Sequence, residues 1–111
     1  MKIALPIVNG IMSQHFGHSE KFSIITIEDS KIVSKEFATP PPHAEGVIPN
    51  WLASLKVDLL LTGGIGPMAV NILNSKGVEV LSGIPQLTPD EVAEKYINGT
   101  LVSTGNSCDH H

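Results

Sequence analysis

The stretch that decides the fold is residues 57–80, VDLLLTGGIGPMAVNILNSKGVEV. Residues 57–61 are nearly all apolar, which is typical of a strand buried on both faces. Three glycines follow within four positions, at Gly63, Gly64 and Gly66, and they predict a tight turn. The first part of the stretch therefore predicts a buried strand that ends in a glycine turn, which we define as residues 62–66.

A helix and a second strand follow the glycine turn. Pro67 is tolerated in a first helical turn, where no backbone donor is needed. Residues 74–77 (NSKG) end the helix, and residues 78–81 restart an apolar run. The apolar side chains of this helix recur at helical spacing: Met68, Ile72 and Leu73. The whole stretch predicts a βαβ unit with parallel strands and a right-handed crossover.

The glycine turn is also a candidate for anion binding. It lies between the carboxyl end of a predicted strand and the amino end of a predicted helix, where free N–H groups and the helix dipole favour negative charge. The candidate residues for a phosphate or anionic-cofactor cradle are Thr62, Gly63, Gly64 and Gly66. A purely structural role for the glycines stays open, because the chain has neither the lysine of a P-loop nor the dinucleotide fingerprint.

Length and composition favour one globular domain over residues 1–100, followed by a flexible Cys/His tail over residues 101–111. The chain has 111 residues, 41% of them apolar and 16% charged, and no apolar run is long enough to cross a bilayer. A net charge of −4 without any cluster of basic residues argues against nucleic acid as a partner. Cys108 has no second cysteine to pair with, which agrees with a reducing, cytoplasmic location.

The remaining elements predict an α/β fold. Residues 2–8 form a central strand, and residues 22–38 form a β-hairpin that turns at Asp29–Ser30. Residues 11–20 are predicted to be a loop without an element. One helix is expected to begin near Ile48, and another follows an N-cap at Thr88. Summed, they predict a three-layer sandwich around a five-stranded mixed sheet of order 3-2-1-4-5 in which strand 2 is antiparallel.

The side chains with metal-binding chemistry all fall outside the predicted strands and helices: His15, His18, His43, Cys108, His110 and His111. Imidazole and thiolate suit iron, zinc, copper or an iron–sulfur cluster. His15 and His18 follow the first strand, so we expect them to face the glycine turn at the carboxyl ends of neighbouring strands. Two alternatives stay open: the loop histidines have no role, or the terminal histidines are the remnant of a purification tag.

Catalytic motifs are absent from the sequence. No nucleophile lies in a strained elbow motif, and no paired carboxylates occupy strand positions as a two-metal nuclease requires. The first strand, KIALPIV, lacks the aspartate that ribonuclease H-like nucleases place there. We therefore expect a protein that is not an enzyme.

Several segments of the chain form a recognisable set: SQHFGHSEKF (13–22), His43 after the prolines, the 57–80 block, TPDEVAEKYINGTL (88–101) and the Cys/His end. Together they resemble the dinitrogenase iron–molybdenum cofactor biosynthesis family, which includes small stand-alone proteins, the NifX and NafY carriers and the carboxyl-terminal domain of NifB. The resemblance implies a ribonuclease H-like motif and the binding of iron–sulfur or iron–molybdenum clusters without catalysis. It assigns His15 and His18 to the HFG-containing loop of the family, and His43 to a second histidine-bearing loop.

The leading hypothesis is a carrier or scaffold for an iron–sulfur or iron–molybdenum type cluster, with a cluster-assembly or acceptor protein as a possible partner. The histidines would supply ligands, and the glycine turn would donate hydrogen bonds to the cluster. The tail is expected to be mobile and to fold over the histidine loops when a thiophilic metal arrives. A small phosphate- or nucleotide-handling enzyme that uses the glycine turn and a plain protein-interaction module are the alternatives.

Overall fold

The computed structural model describes residues 1–42, 44 and 46–101, and for His18 it describes the backbone alone. The predictions for His43 and for the tail beyond residue 101 therefore lie outside the described residues. The strands are β1 (Lys2–Val8), β2 (Ile11–Met12), β3 (Lys21–Glu28), β4 (Lys31–Ala38), β5 (Leu59–Leu61) and β6 (Glu79–Leu81). The helices are α1 (Val47–Ser54), α2 (Pro67–Ser75) and α3 (Pro89–Asn98), with a 3-10 turn over Phe16–His18.

The sheet is mixed, as the sequence predicts, but it has six strands rather than five. Its order is β4-β3-β1-β5-β6, and β2 pairs with β1 off this path. β3 runs antiparallel to both β1 and β4, whereas β1, β5 and β6 are parallel to one another. The predicted five-stranded sheet therefore lacks one strand, β2, which pairs with β1.

The extra strand arises from the Asn9–Gly10 turn. Both residues have positive φ angles, 54° and 81°, as in the tight hairpin turns that Asn-Gly favours. The chain folds back so that Ile11 lies opposite Val8 on β1. The prediction of a loop without an element over residues 11–20 is wrong for this reason. The same prediction is also wrong at residues 16–18, which form a 3-10 turn. This turn includes His18, which was expected to lie outside all strands and helices.

Helices cover both faces of the sheet and give three layers. One apolar cluster packs α1 and α2 on one face, through Leu52 and Leu73. The other packs α3 on the opposite face, through Val92. β1 contributes to both clusters because its side chains alternate, with Ala4 in the first and Leu5 in the second.

The helix starts differ between the two faces. At α3, Thr88 and Glu91 form a reciprocal capping box, and Gly99 ends the helix in the left-handed region with a φ of 74°. The N-caps of α1 and α2 are Gly46 and Gly66, which have no side chain to cap the first turn. No helix in the described part of the chain is long and apolar enough to cross a membrane.

Candidate functional site

A pocket of about 680 Å³ lies at the carboxyl ends of β1 and β5. These two strands are parallel neighbours, and the chain leaves them in opposite directions, toward β3 from β1 and toward β6 from β5. Such a reversal of strand order is where open α/β sheets bind ligands, and the volume is in the usual range for ligand sites. We call this cavity the site pocket.

One wall of the site pocket comes from the histidine loop, which we define as residues 9–20. His15, Phe16 and Gly17 line the pocket. The Phe16 ring is buried and meets the ring of Phe22 edge to face, with 5.8 Å between the ring centroids. The side chain of His15 is exposed, while its neighbour Phe16 anchors the loop in the core. The imidazole is therefore presented at the pocket on a fixed backbone.

The glycine turn forms a second wall and packs against the histidine loop. A Cβ on Gly63 would lie 2.8 Å from the Gln14 Cα, and a Cβ on Gly64 would lie 2.8 Å from the Gln14 carbonyl oxygen. Only glycine fits at such distances. The N–H of Phe16 donates to the Gly64 carbonyl at 2.8 Å, and the N–H of Gly63 donates to the Ser13 carbonyl at 3.3 Å. The loop and the turn therefore form one interlocked unit.

Of the four residues predicted for the anion cradle, Gly64 and Gly66 line the site pocket, and Thr62 and Gly63 do not. Thr62 is fully buried, and its N–H donates to the Leu81 carbonyl at 3.0 Å. Its carbonyl accepts from the N–H of Ile84 at 3.1 Å. Thr62 and Gly63 hold the turn against the sheet and the histidine loop.

Five consecutive donors of the turn and of the first turn of α2 have no acceptor within the described part of the chain: the N–H groups of Gly64, Ile65, Gly66, Met68 and Ala69. All five residues line the site pocket. Pro67 has no N–H group, so it breaks no bond at this position. The positive end of the α2 dipole adds to these donors, and the arrangement suits an anion.

The third wall is the start of α1, which the sequence did not place at the site. Gly46, Ile48 and Pro49 line the pocket. Gly46 has a φ of 77°, and a Cβ on it would lie 3.5 Å from the Ile72 Cδ1 of α2, so the start of α1 packs close to the middle of α2. The Gly-Val-Ile-Pro pattern indicates a helix start, but its place beside the glycine turn depends on long-range packing that no local pattern reports.

Met68 is a second residue that the sequence analysis placed differently. Its spacing put it on the apolar face of α2, yet its side chain is 54% exposed at the site pocket. Position 68 lies in the first turn of α2, ahead of the buried residues of this helix, Val70 and Leu73. The pocket thus carries one imidazole and one thioether among its described lining side chains, which include no lysine and no carboxylate.

The other predicted metal ligands are not placed. His18 lies in the 3-10 turn by its backbone, and its side chain is not described. His43, Cys108, His110 and His111 lie outside the described residues. Among the side chains that are described, no three of His, Cys, Asp or Glu converge on a common point.

Comparisons with known proteins give consistent results. A family model for the dinitrogenase iron-molybdenum cofactor matches residues 1–99. The uncharacterized protein MJ0580 of Methanocaldococcus jannaschii is 34% identical over 106 residues, covering 91% of this chain and 89% of that protein.

Solved structures that share the fold include the following two. The crystal structure of PH0822 has a TM-score of 0.87 and 29% identity, covering 93% of this chain and 94% of that one. The apo form of the orange protein from Desulfovibrio gigas has a TM-score of 0.75 and 22% identity, covering 95% and 93%. At that identity the second likeness shows the fold alone. The match over residues 1–99, supported by the MJ0580 relative, places the chain in the dinitrogenase iron-molybdenum cofactor family.

Proposed function

We propose that this protein is a carrier or scaffold that binds an anionic metal–sulfur cluster of the iron–sulfur or iron–molybdenum type in the site pocket. One observation carries the proposal: five residues that line the pocket have backbone N–H groups without an acceptor in the described part of the chain, and the described walls hold no carboxylate. Family membership supports the cofactor class.

The backbone donors would hold the inorganic sulfides of the cluster. Each N–H group brings a partial positive charge at no cost in side-chain entropy. The apolar walls lower the local dielectric constant, which strengthens the attraction between the N–H groups and the sulfides. Neutral donors also fit a cargo that must leave again, since they add no fixed charge. Ile48 and Ile72 supply apolar surface on the two sides of the pocket.

His15 is the one described side chain that can supply an imidazole ligand to the cargo. An imidazole suits iron and other borderline metals. Because no three described ligand side chains converge, the cluster would bring most of its own ligands or take them from His18, His43, Cys108, His110 or His111. These five residues remain proposed ligands.

The same chemistry supports a binding role without catalysis, which is part of the proposal. The described lining of the pocket offers donors but no carboxylate or lysine to act as a general acid or base beside His15. We propose that a cluster-assembly protein donates the cargo, that an acceptor protein receives it, and that the exchange takes place in a reducing cytoplasm.

The test is anaerobic reconstitution with iron and sulfide, followed by gel filtration with detection of visible absorption. The decisive variants are Gly66→Pro and its matched control Gly66→Ala. Gly66 has φ −79° and ψ 158°, which proline adopts without strain. Proline removes the Gly66 N–H group, and alanine keeps it.

We expect the wild type and Gly66→Ala to retain the chromophore better than Gly66→Pro. A hydrogen bond to a charged group is worth about 1.5–3 kcal/mol, so retention by the proline variant should fall roughly ten- to a hundredfold. Equal retention by the proline and alanine variants would remove the amide cradle from the proposal. Absence of any co-eluting chromophore, together with a thermal shift from nucleotides or sugar phosphates, would favour the phosphate-handling alternative.

The contribution of His15 is tested by His15→Ala with Gln14→Ala as the control. Gln14 is the exposed neighbour in the same loop and does not line the pocket. We expect His15→Ala to weaken cluster retention and to change the visible spectrum, because a ligand is lost. If the two variants give the same spectrum and retention, His15 is not a ligand.

A further inference from the structure

The Ser13 hydroxyl holds the backbone of His15 on both sides. Its Oγ accepts a hydrogen bond from the His15 N–H at 3.1 Å and donates one to the His15 carbonyl at 2.8 Å. Ser13 is only 5% exposed, so water competes poorly for these bonds. One buried hydroxyl therefore fixes both peptide groups that flank the His15 side chain.

Ser13 is itself fixed to both structural parts of the site. Its N–H donates to the Pro6 carbonyl of β1 at 2.8 Å, and its carbonyl accepts from the Gly63 N–H at 3.3 Å. The residue after His15, Phe16, is buried in the core. Ser13 thus connects the backbone of His15 to β1 and to the glycine turn through hydrogen bonds.

We propose that Ser13 is a positioning residue that holds the His15 imidazole at the site pocket before any cargo arrives. The effect on cargo rests on the proposed function, whereas the effect on His15 does not. An imidazole on a backbone that is already ordered loses less conformational entropy on binding, so it binds its cargo more tightly.

The first test uses the protein without cargo and compares Ser13→Ala with Ser19→Ala. Ser19 lies in the same loop, and its hydroxyl donates to the Phe16 carbonyl at 2.8 Å. The control thus loses a loop hydroxyl that bonds to Phe16 rather than to His15. The measurements are amide hydrogen exchange of the His15 N–H and three-bond couplings that report the His15 χ1 rotamer.

We expect the His15 amide to exchange about 2- to 10-fold faster in Ser13→Ala, as the loss of one hydrogen bond predicts, and its χ1 rotamers to average. Ser19→Ala should leave both unchanged. An unchanged χ1 rotamer distribution in Ser13→Ala would overturn the proposal, whether or not the amide exchanges faster.

The second test is a double-mutant cycle on cluster retention, with Ser13→Ala made in the wild type and in His15→Ala. A residue that acts through His15 has no further effect once that imidazole is gone. We expect retention to fall at least about 3-fold in the wild-type background and by less than about 1.5-fold in the His15→Ala background. Equal losses in both backgrounds would show a general structural role and contradict the proposal. If the wild type binds no cluster, the proposed function fails, and the cargo-free measurements still decide the role of Ser13.

Discussion

Gly64 and Gly66 are two residues apart in the glycine turn, and the space around them differs. A Cβ on Gly64 would lie 2.8 Å from the Gln14 carbonyl oxygen, a backbone atom that cannot rotate away. A Cβ on Gly66 would meet nothing within 4 Å. The first glycine is required by packing against the histidine loop, and the second is required by neither packing nor backbone conformation.

We therefore expect Gly64→Ala to destabilise the fold by about 1–3 kcal/mol, since overpacking forces the loop and the turn apart. The melting temperature should fall by roughly 5–15 °C for a domain of this size. Gly66→Ala should change stability by less than about 0.5 kcal/mol, because the weaker N-cap and the reduced entropy of the unfolded chain oppose each other. Thermal unfolding measures both, and a comparable loss in the two variants would contradict the packing argument.

For single residues, the sequence predicts the glycine turn but not the residue that packs against it, Gln14 of the histidine loop. Three glycines in four positions indicate a tight turn after a buried strand, and the turn is there. The contact with Gln14 joins segments that are about 50 residues apart in the sequence, and no local pattern encodes it. The same limit applies to Thr62, whose N–H is taken up by Leu81 of another strand.

Among the elements, α3 has the strongest local start signal. The Thr88 Oγ1 accepts from the Glu91 N–H at 3.2 Å, and the Glu91 carboxylate accepts from the Thr88 N–H at 3.1 Å. Thr88→Ala removes the first bond and should destabilise the protein by about 0.5–2 kcal/mol. Thr88→Ser keeps the hydroxyl and serves as the control. Urea unfolding of the two variants tests the cap, and a serine variant as unstable as the alanine variant would show that the threonine methyl group matters instead.

The elements that the sequence predicts well are those with such local signals. The helix expected after the Thr88 N-cap begins at Pro89 and ends before Gly99, and the first strand spans residues 2–8 as predicted. β2 was missed, although the Asn9–Gly10 pair is itself a hairpin signal, because only two residues follow it before the polar part of the loop. β5 covers Leu59–Leu61 and is shorter than the strand predicted over residues 57–61, since an apolar run shows burial rather than strand length.

In the whole molecule, the sheet separates two apolar layers, and the site pocket belongs to one of them. The pocket lies beside α1 and α2, and its lining includes no residue of α3. β1 connects the layers only through the alternation of its side chains, with Ala4 toward one and Leu5 toward the other. The layers were predictable from the βαβ pattern and the amphipathic helices. The position of α1 beside the pocket was not predictable. The sequence of the connector before α1 does not indicate on which face of the sheet the helix packs.

The same change of side chain in the two layers should affect stability alike and the site pocket differently. Val70→Ala on α2 and Val92→Ala on α3 both remove two methyl groups from a core residue, at 8% and 0% exposure respectively. Each should destabilise the fold by about 1–3 kcal/mol, measured by urea unfolding. Only Val70→Ala lies in the helix whose first turn lines the site pocket. It should therefore also weaken cluster retention and speed exchange of the amide at position 70, which donates to the Gly66 carbonyl at 3.2 Å. Val92→Ala should leave both unchanged under conditions where the variant is fully folded, because the sheet lies between α3 and the pocket. If Val92→Ala weakens retention as much as Val70→Ala does, the two layers are energetically coupled through the sheet, which contradicts the prediction.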